Sequence, residues 1–291
     1  MGTYKIAGLG FEILPPDGRS FSLQTDFDND NEGCFLHKFK AKLTPHIPII
    51  SCEYDDEPSV YIPPSTFVIK ERALTLAEDA SYYYLVDDLN AEGNVNYTVR
   101  YQKDFRHTLI KRYSAMNLYP SLVLRTVFRN HAIEQKIVEI HSAAIEYGNG
   151  AILFSGISGC GKSTHVNLWR EKYHVPILNG DSPFVRIEKA PVVCGSPWCG
   201  TSRECLNHEL PLRAIVFIEQ APENVIRRLS HAEAFVRLVS VAGIPRWHLE
   251  KMNLGLDHLT LIVEYVPVYL LRCRPDMAAV ETVREMIDDE Q

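Results

Sequence analysis

Residues Gly156 to Ser163 of this 291-residue chain read GISGCGKS and satisfy G-x-x-x-x-G-K-[ST] at every fixed position. Those residue types suit one task, the holding of nucleotide phosphates. Gly156, Gly159 and Gly161 let the backbone curl until consecutive N–H groups point inward at phosphate oxygens. Lys162 adds a point charge toward the β and γ phosphates, and Ser163 offers its hydroxyl to Mg²⁺. Ser158, Cys160 and Thr164 complete the stretch expected to touch the nucleotide, for which ATP or another nucleoside phosphate qualifies.

A phosphate cradle does not by itself choose among hydrolysis, transfer and binding, so nearby acids matter. Asp181 ends the short apolar run Ile177-Leu178-Asn179-Gly180-Asp181, one helix after the glycine turn. In a packed α/β unit the end of that strand returns to the loop's side of the sheet. A carboxylate there can hold Mg²⁺ with Ser163 or take the proton of an attacking hydroxyl; the plainer alternative is an Asp stabilising its own turn. Glu219 closes Ala214-Ile215-Val216-Phe217-Ile218 as the acid of a Walker B-like strand would, and is a rival for the metal, or else a solvated strand end. His141, in Glu139-Ile140-His141-Ser142, is open to a catalytic or a core role. Arg203, Arg246 and Lys251 are candidates to pair with transferred phosphate, on residue type alone.

The elements around the motif point to a mixed α/β protein. Ala151 to Ser155 reads as a buried strand and Thr164 to Lys172 as a helix with Val166, Leu168 and Trp169 inward, so a helix N-terminus faces the anion. Residues 1–115 alternate apolar and polar positions in short bursts (Tyr4 to Ile6, Phe11 to Leu14, Ser59 to Ile62, Tyr97 to Tyr101) between turn clusters such as Pro15 to Gly18 and Asp28 to Asn31, predicting a smaller β-rich N-terminal domain. Its acidic turn at Asp55, Asp56 and Glu57 reads as a solvated loop before a cation site. A helical repeat between Tyr119 and Glu134 leads into a second domain, 116–291. There strands are expected at 136–140, 142–147, 151–155, 177–178, 184–187, 192–194, 213–219, 225–229 and 268–272, with helices near 231–242, 246–264 and 276–288.

Composition narrows the partners. A net charge of −7 with no long basic run argues against nucleic acid and anionic membrane, leaving the phosphate pocket as a local positive spot. No signal peptide and no 18-residue uncharged apolar segment is evident, and seven scattered cysteines fit reduced thiols, so a cytoplasmic location is expected. Cys194, Cys199, Cys205 and His208 come nearest to a zinc set, but lack paired C-x-x-C spacing. Self-association is left open.

From about 135 to 290 the order of elements resembles the HPr kinase/phosphorylase family and the wider kinases with a phosphoenolpyruvate carboxykinase-like P-loop fold. The resemblance rests on His141 ahead of the loop, GISGCGKS, Asn179-Gly180-Asp181, Gly195-Ser196-Pro197-Trp198-Cys199-Gly200, Ile215 to Gln220, Val266 to Tyr269 and Pro275-Asp276. It implies a mixed sheet, His141 and Asp181 in the cleft, and a Gly195 to Gly200 loop that closes over substrate. Where HPr kinases carry adjacent aspartates, this chain has Gly180 and Asp181, so another acid is looked for. The expected activity is Mg²⁺-dependent transfer of a nucleotide phosphoryl group to a hydroxyl, on a serine-bearing protein or peptide or on a small molecule such as serine or a polyol. Lys162, Asp181 and His141 are the expected catalytic residues. Two alternatives stay open: a nucleotide-binding regulatory or scaffold module without transfer, and a simple NTP hydrolase.

Overall fold

The computed structural model describes residues 2–14, 35–42, 49–55, 69–71, 74–87, 97–105, 107–112 and 120–289. The strand-like burst Ser59 to Ile62, the turn clusters at 15–18 and 28–31, Asp56, Glu57 and the 115/116 boundary lie outside these residues. What is described is a mixed α/β chain with two sheets.

The first sheet holds β1 (Gly2–Ile6), β2 (Leu9–Leu14), β3 (Ile49–Asp55), β4 (Ile69–Glu71), β5 (Leu74–Glu78), β6 (Tyr82–Asp87), β7 (Tyr97–Gln102) and β8 (His107–Arg112), in the order β1-β2-β3-β8-β7-β6-β5-β4. β2, β3 and β8 run parallel to their neighbours in that trio, and the remaining pairs are antiparallel. Helix α1 (Pro120–Ala132) follows, with a proline at its first position, where no amide donor is required.

The second sheet takes β9 (Ile137–Glu139), β10 (Ser142–Tyr147), β11 (Gly150–Ser155), β12 (Ile177–Asn179), β13 (Phe184–Ile187), β14 (Pro191–Cys194), β15 (Glu209–Gln220), β16 (Val225–Arg228) and β17 (Val268–Cys273). Its helices are α2 (Lys162–Tyr173), α3 (His231–Val241), α4 (Leu249–Tyr265) and α5 (Met277–Asp289). β15 is long because it serves two neighbourhoods: its first residues pair with β14, and the rest pairs in parallel with β11 and β17.

Alternation along the strands sorts side chains to opposite faces. Ile152, Phe154, Val216, Ile218 and Leu271 pack with Val166 and Trp169 of α2 and with Val280 and Val283 of α5. Leu153, Ile215, Phe217 and Leu270 face Leu238 of α3 and Leu259 and Ile262 of α4. The central strands are buried on both sides and read as unbroken apolar runs for that reason. A third cluster joins Tyr4, Phe11 and Ile110 of the first sheet to Leu124 and Phe128 of α1 and to Phe184 and Trp198, so both sheets contribute to one apolar contact around α1.

Candidate functional site

β10 lies between β11 and β12 and runs antiparallel to both. The start of β10 and the ends of β11 and β12 therefore share one sheet edge. Ser142 pairs with Ser155, the residue before Gly156, and the Ser142 amide donates to the Asp181 carbonyl at 2.9 Å. Two strand spacings, about 10 Å, separate the strand that ends in the glycine turn from the one that ends at Asp181.

The glycine turn is open. Gly156, Gly159 and Gly161 all have positive φ, and a Cβ at Gly159 or Gly161 would meet nothing within 4 Å. Ile157 at the crest is 81% exposed, and Ser158, Ser163 and Thr164 are exposed too, while Cys160 is tucked under Gly156. α2 begins at Lys162 with no side-chain cap and no acid in its first turn, which leaves its leading amides and the positive end of its dipole toward the turn. Lys162 Nζ donates to the carbonyls of Gly156 and Ile157 at 3.2 and 3.4 Å. Beneath the turn His165 is buried; Trp169 Nε1 donates to its Nε2 at 3.2 Å, and burial pulls its pKa down to about 4, so the imidazole is neutral.

The Asp181 turn is closed. Asn179 Oδ1 accepts from the amides of Asp181 and Ser182 at 2.9 and 2.7 Å, and its Nδ2 donates to the Ser196 carbonyl at 2.9 Å. Ser196 Oγ donates in turn to the Ser182 carbonyl at 2.6 Å. A second aspartate at Gly180 would force Ser202 to shift, because a Cβ at that position would sit 1.7 Å from Ser202 Oγ. Asp181 Oδ1 lies 3.3 Å from His141 Nδ1; Oδ2 accepts from Ser182 Oγ at 2.5 Å and lies 3.6 Å from Arg125 Nη1. Burial raises the Asp181 pKa, but the hydrogen bonds from His141 and Ser182 and the Arg125 charge outweigh it and bring it to about 2.

Arg125 reaches Asp181 from α1 and is itself held by Glu139, whose carboxylate is 1% exposed and also pairs with Arg129 at 2.9 Å. Burial opposes the charge on Glu139, yet the two guanidiniums keep its pKa below the ordinary value. The sequence reading missed this cluster. Its signal was present: Arg125 and Arg129 stand four apart, on one face of the helix.

Other candidates are placed as follows. Glu219 lies beside the glycine turn in register, but its carboxylate goes to Arg237 of α3 at 2.8 Å, and the next residue, Gln220, reaches the Gly159 carbonyl at 3.2 Å. The segment Gly195 to Gly200 is part of the core: Ser196, Trp198 and Cys199 are buried, and Trp198 packs on Phe128 and Phe184. It braces the Asp181 turn, which corrects the expectation of a loop closing over substrate. Lys251 is buried as well, bonded to Glu134 Oε1 and the Asn130 carbonyl with Phe105 beneath it, so it does not face phosphate. Arg203 is exposed on a left-handed turn, and Arg246 donates to the Val239 carbonyl at 2.8 Å. Cys194, Cys199 and Cys205 are buried.

For Mg²⁺, Ser163 fits: the residue is exposed at a helix start beside the glycine turn. Of the acids expected beside it, Asp181 has its carboxylate engaged by His141, Ser182 and Arg125, and Glu219 has Oε1 at Arg237. Among the described residues no group of three or more His, Cys, Asp or Glu could hold a metal ion. No helix among them is long and apolar enough to cross a membrane.

The fold is mixed α/β, with an exposed glycine turn and an Asp–His pair on one sheet edge. A solved structure of the Hpr(Ser) kinase/phosphatase from Coxiella burnetii is similar over 53% of this chain and 99% of that one, at 11% identity and a TM-score of 0.30. A TM-score of that size does not show a shared fold. No protein-family model matches the chain, and no curated protein does.

Proposed function

We propose that this protein is a kinase that passes a nucleotide phosphoryl group to a hydroxyl acceptor, a serine of a protein or peptide or a small hydroxyl compound. The observation carrying this reading is the open, uncapped, acid-free start of α2 on the same sheet edge as Asp181 and His141. Backbone amides from Gly159 to Ser163 hold the donor phosphates and Lys162 turns from its loop carbonyls to the β and γ phosphates. Mg²⁺, when bound by Ser163, nucleotide phosphates and water, neutralises charge on the transferred group.

In this reading residues 116–291 form the kinase unit and 1–115 the β-rich unit that shapes acceptor choice. Support comes from the segment after α3. Val241, which ends α3, bonds His141 and the following Gly243 bonds Glu139, and the segment then at Trp247 and His248 walls a cavity of about 370 Å³ with Leu76, Glu78 and Tyr83 of the first sheet. A cytoplasmic setting, where ATP is abundant, belongs to the same proposal.

The test is incubation with Mg²⁺ and γ-labelled ATP, GTP or ADP, against serine peptides, free serine and polyols. Labelled product that disappears in Lys162→Ala is the expected result. The tight bonding of Asp181 favours one rival, a nucleotide-binding regulatory module without transfer. That rival binds MgATP and yields no labelled acceptor, whereas a hydrolase releases phosphate at a rate no acceptor raises.

A further inference from the structure

Asp181 is poorly placed to accept a proton itself. Oδ1 faces His141 Nδ1, Oδ2 takes the Ser182 hydroxyl and lies near Arg125, and Asn179 clamps the amides on either side, so the carboxylate cannot turn to a substrate without breaking these contacts. A carboxylate held near pKa 2 is also a weak base. His141 is different. Its backbone is pinned, the amide donating to the Val241 carbonyl at 2.9 Å and the carbonyl accepting from Ser155 Oγ at 2.7 Å. Its side chain is 37% exposed at the edge where the glycine turn begins. With Nδ1 directed at a carboxylate, the favoured neutral tautomer carries its proton on Nδ1 and leaves the Nε2 lone pair bare.

We propose that His141 Nε2 takes the proton of the acceptor hydroxyl, and that Asp181 is a positioning residue acting through it by fixing the imidazole tautomer. This rests on the phosphoryl-transfer reading above. In the step, the acceptor oxygen bonds to the γ-phosphorus as its proton passes to Nε2. The bond from that phosphorus to the β–γ bridging oxygen breaks, and the electron pair leaves on the nucleoside diphosphate. Arg125, anchored by Glu139, keeps the carboxylate oriented from the α1 side.

The tautomer can be read without any acceptor, by ¹⁵N–¹H correlation of the ring nitrogens in the whole, ¹⁵N-histidine-labelled protein near pH ~8, with His141 assigned by the loss of its signals in His141→Gln. The expected result is a protonated Nδ1 and a bare Nε2, with that preference lost in Asp181→Asn, whose side chain donates as well as accepts. With γ-labelled MgATP and the acceptor panel, His141→Gln should lose roughly 10²- to 10⁴-fold in kcat while its KM for MgATP stays within about twofold. A proton on Nε2 in the wild type, or turnover in His141→Gln within about threefold of wild type, overturns the proposal. Failure of the underlying reading looks different: the wild type then labels no acceptor whatever the tautomer, and the proton-transfer assignment falls with it.

Discussion

At Gly159 and Gly161 an added Cβ would meet nothing within 4 Å, whereas at Gly180 it would lie 1.7 Å from Ser202 Oγ and at Gly195 1.8 Å from the Leu206 carbonyl oxygen. Both turns on this sheet edge depend on glycine, one for backbone conformation and the other for lack of room. The glycine turn is exposed, and the helix after it starts with no side-chain cap on its leading amides. The Asp181 turn is closed on itself, its amides bonded to Asn179 and its carboxylate to His141, Ser182 and Arg125. On the proposed reading such a division would let one half bind a mobile substrate while the other holds the chemistry fixed, so damage to the two halves should differ in kind.

The sharpest break is Gly195→Ala. The clashing atom is a backbone carbonyl, which no rotamer change can move, so the variant should lose roughly 4 kcal/mol or more and about 10 °C in Tm. A melting curve within a few degrees of wild type would show that the closed turn has slack. Lys162→Ala breaks the other half. Its two long hydrogen bonds go to loop carbonyls, one half-buried and one exposed, so Tm should hardly change, while phosphoryl transfer falls by roughly 10³-fold. Full activity there would remove the glycine turn from the mechanism.

The open half was legible in the sequence because its signals are local: a motif, a flanking apolar strand, a helix register. The same holds for β10, β13, β16 and β17 and for α3 to α5, whose residues match the expected spans to within a few positions. β15 starts at Glu209, earlier than the apolar run at 213, because its first residues lie half-exposed against β14 and carry no burial pattern. The closed half was legible only at Asp181 and His141. Arg125 and Glu139 meet across separate elements, and Trp198 is buried by Phe128 and Phe184, distant in sequence, so a segment read as a lid is core. His165 was unreadable for a similar reason: it is covered by Phe154 and Trp169 from inside.

Acid should take the two halves apart in order. His165 has a folded pKa of about 4, below the ordinary ~6.5, so the unfolded chain binds the extra proton between those values. Its contribution to stability is full above that range and is lost as pH falls from about 6.5 to 4, worth about 3 kcal/mol. Asp181, at about 2 against an unfolded ~3.8, keeps its contribution down to that higher value and loses about 2 kcal/mol only as pH falls further. Hydrogen exchange followed against pH should therefore show α2 opening before the 179–182 turn. Simultaneous opening, or the reverse order, would mean the halves are not energetically separate.

The smallest expected effect is the most specific test of the contrast. Gly159 has φ +79° and open space around its Cα, so Gly159→Ala should cost only the about 1–2 kcal/mol of a left-handed backbone, read as roughly a tenfold loss in MgATP affinity. Asparagine tolerates that region better than alanine does. If conformation is what the turn requires, Gly159→Asn should bind MgATP more tightly than Gly159→Ala although its side chain is larger. If the phosphate itself needs the space a side chain would occupy, the order reverses, and glycine at the open turn is then selected for room after all, as it is at Gly180 and Gly195.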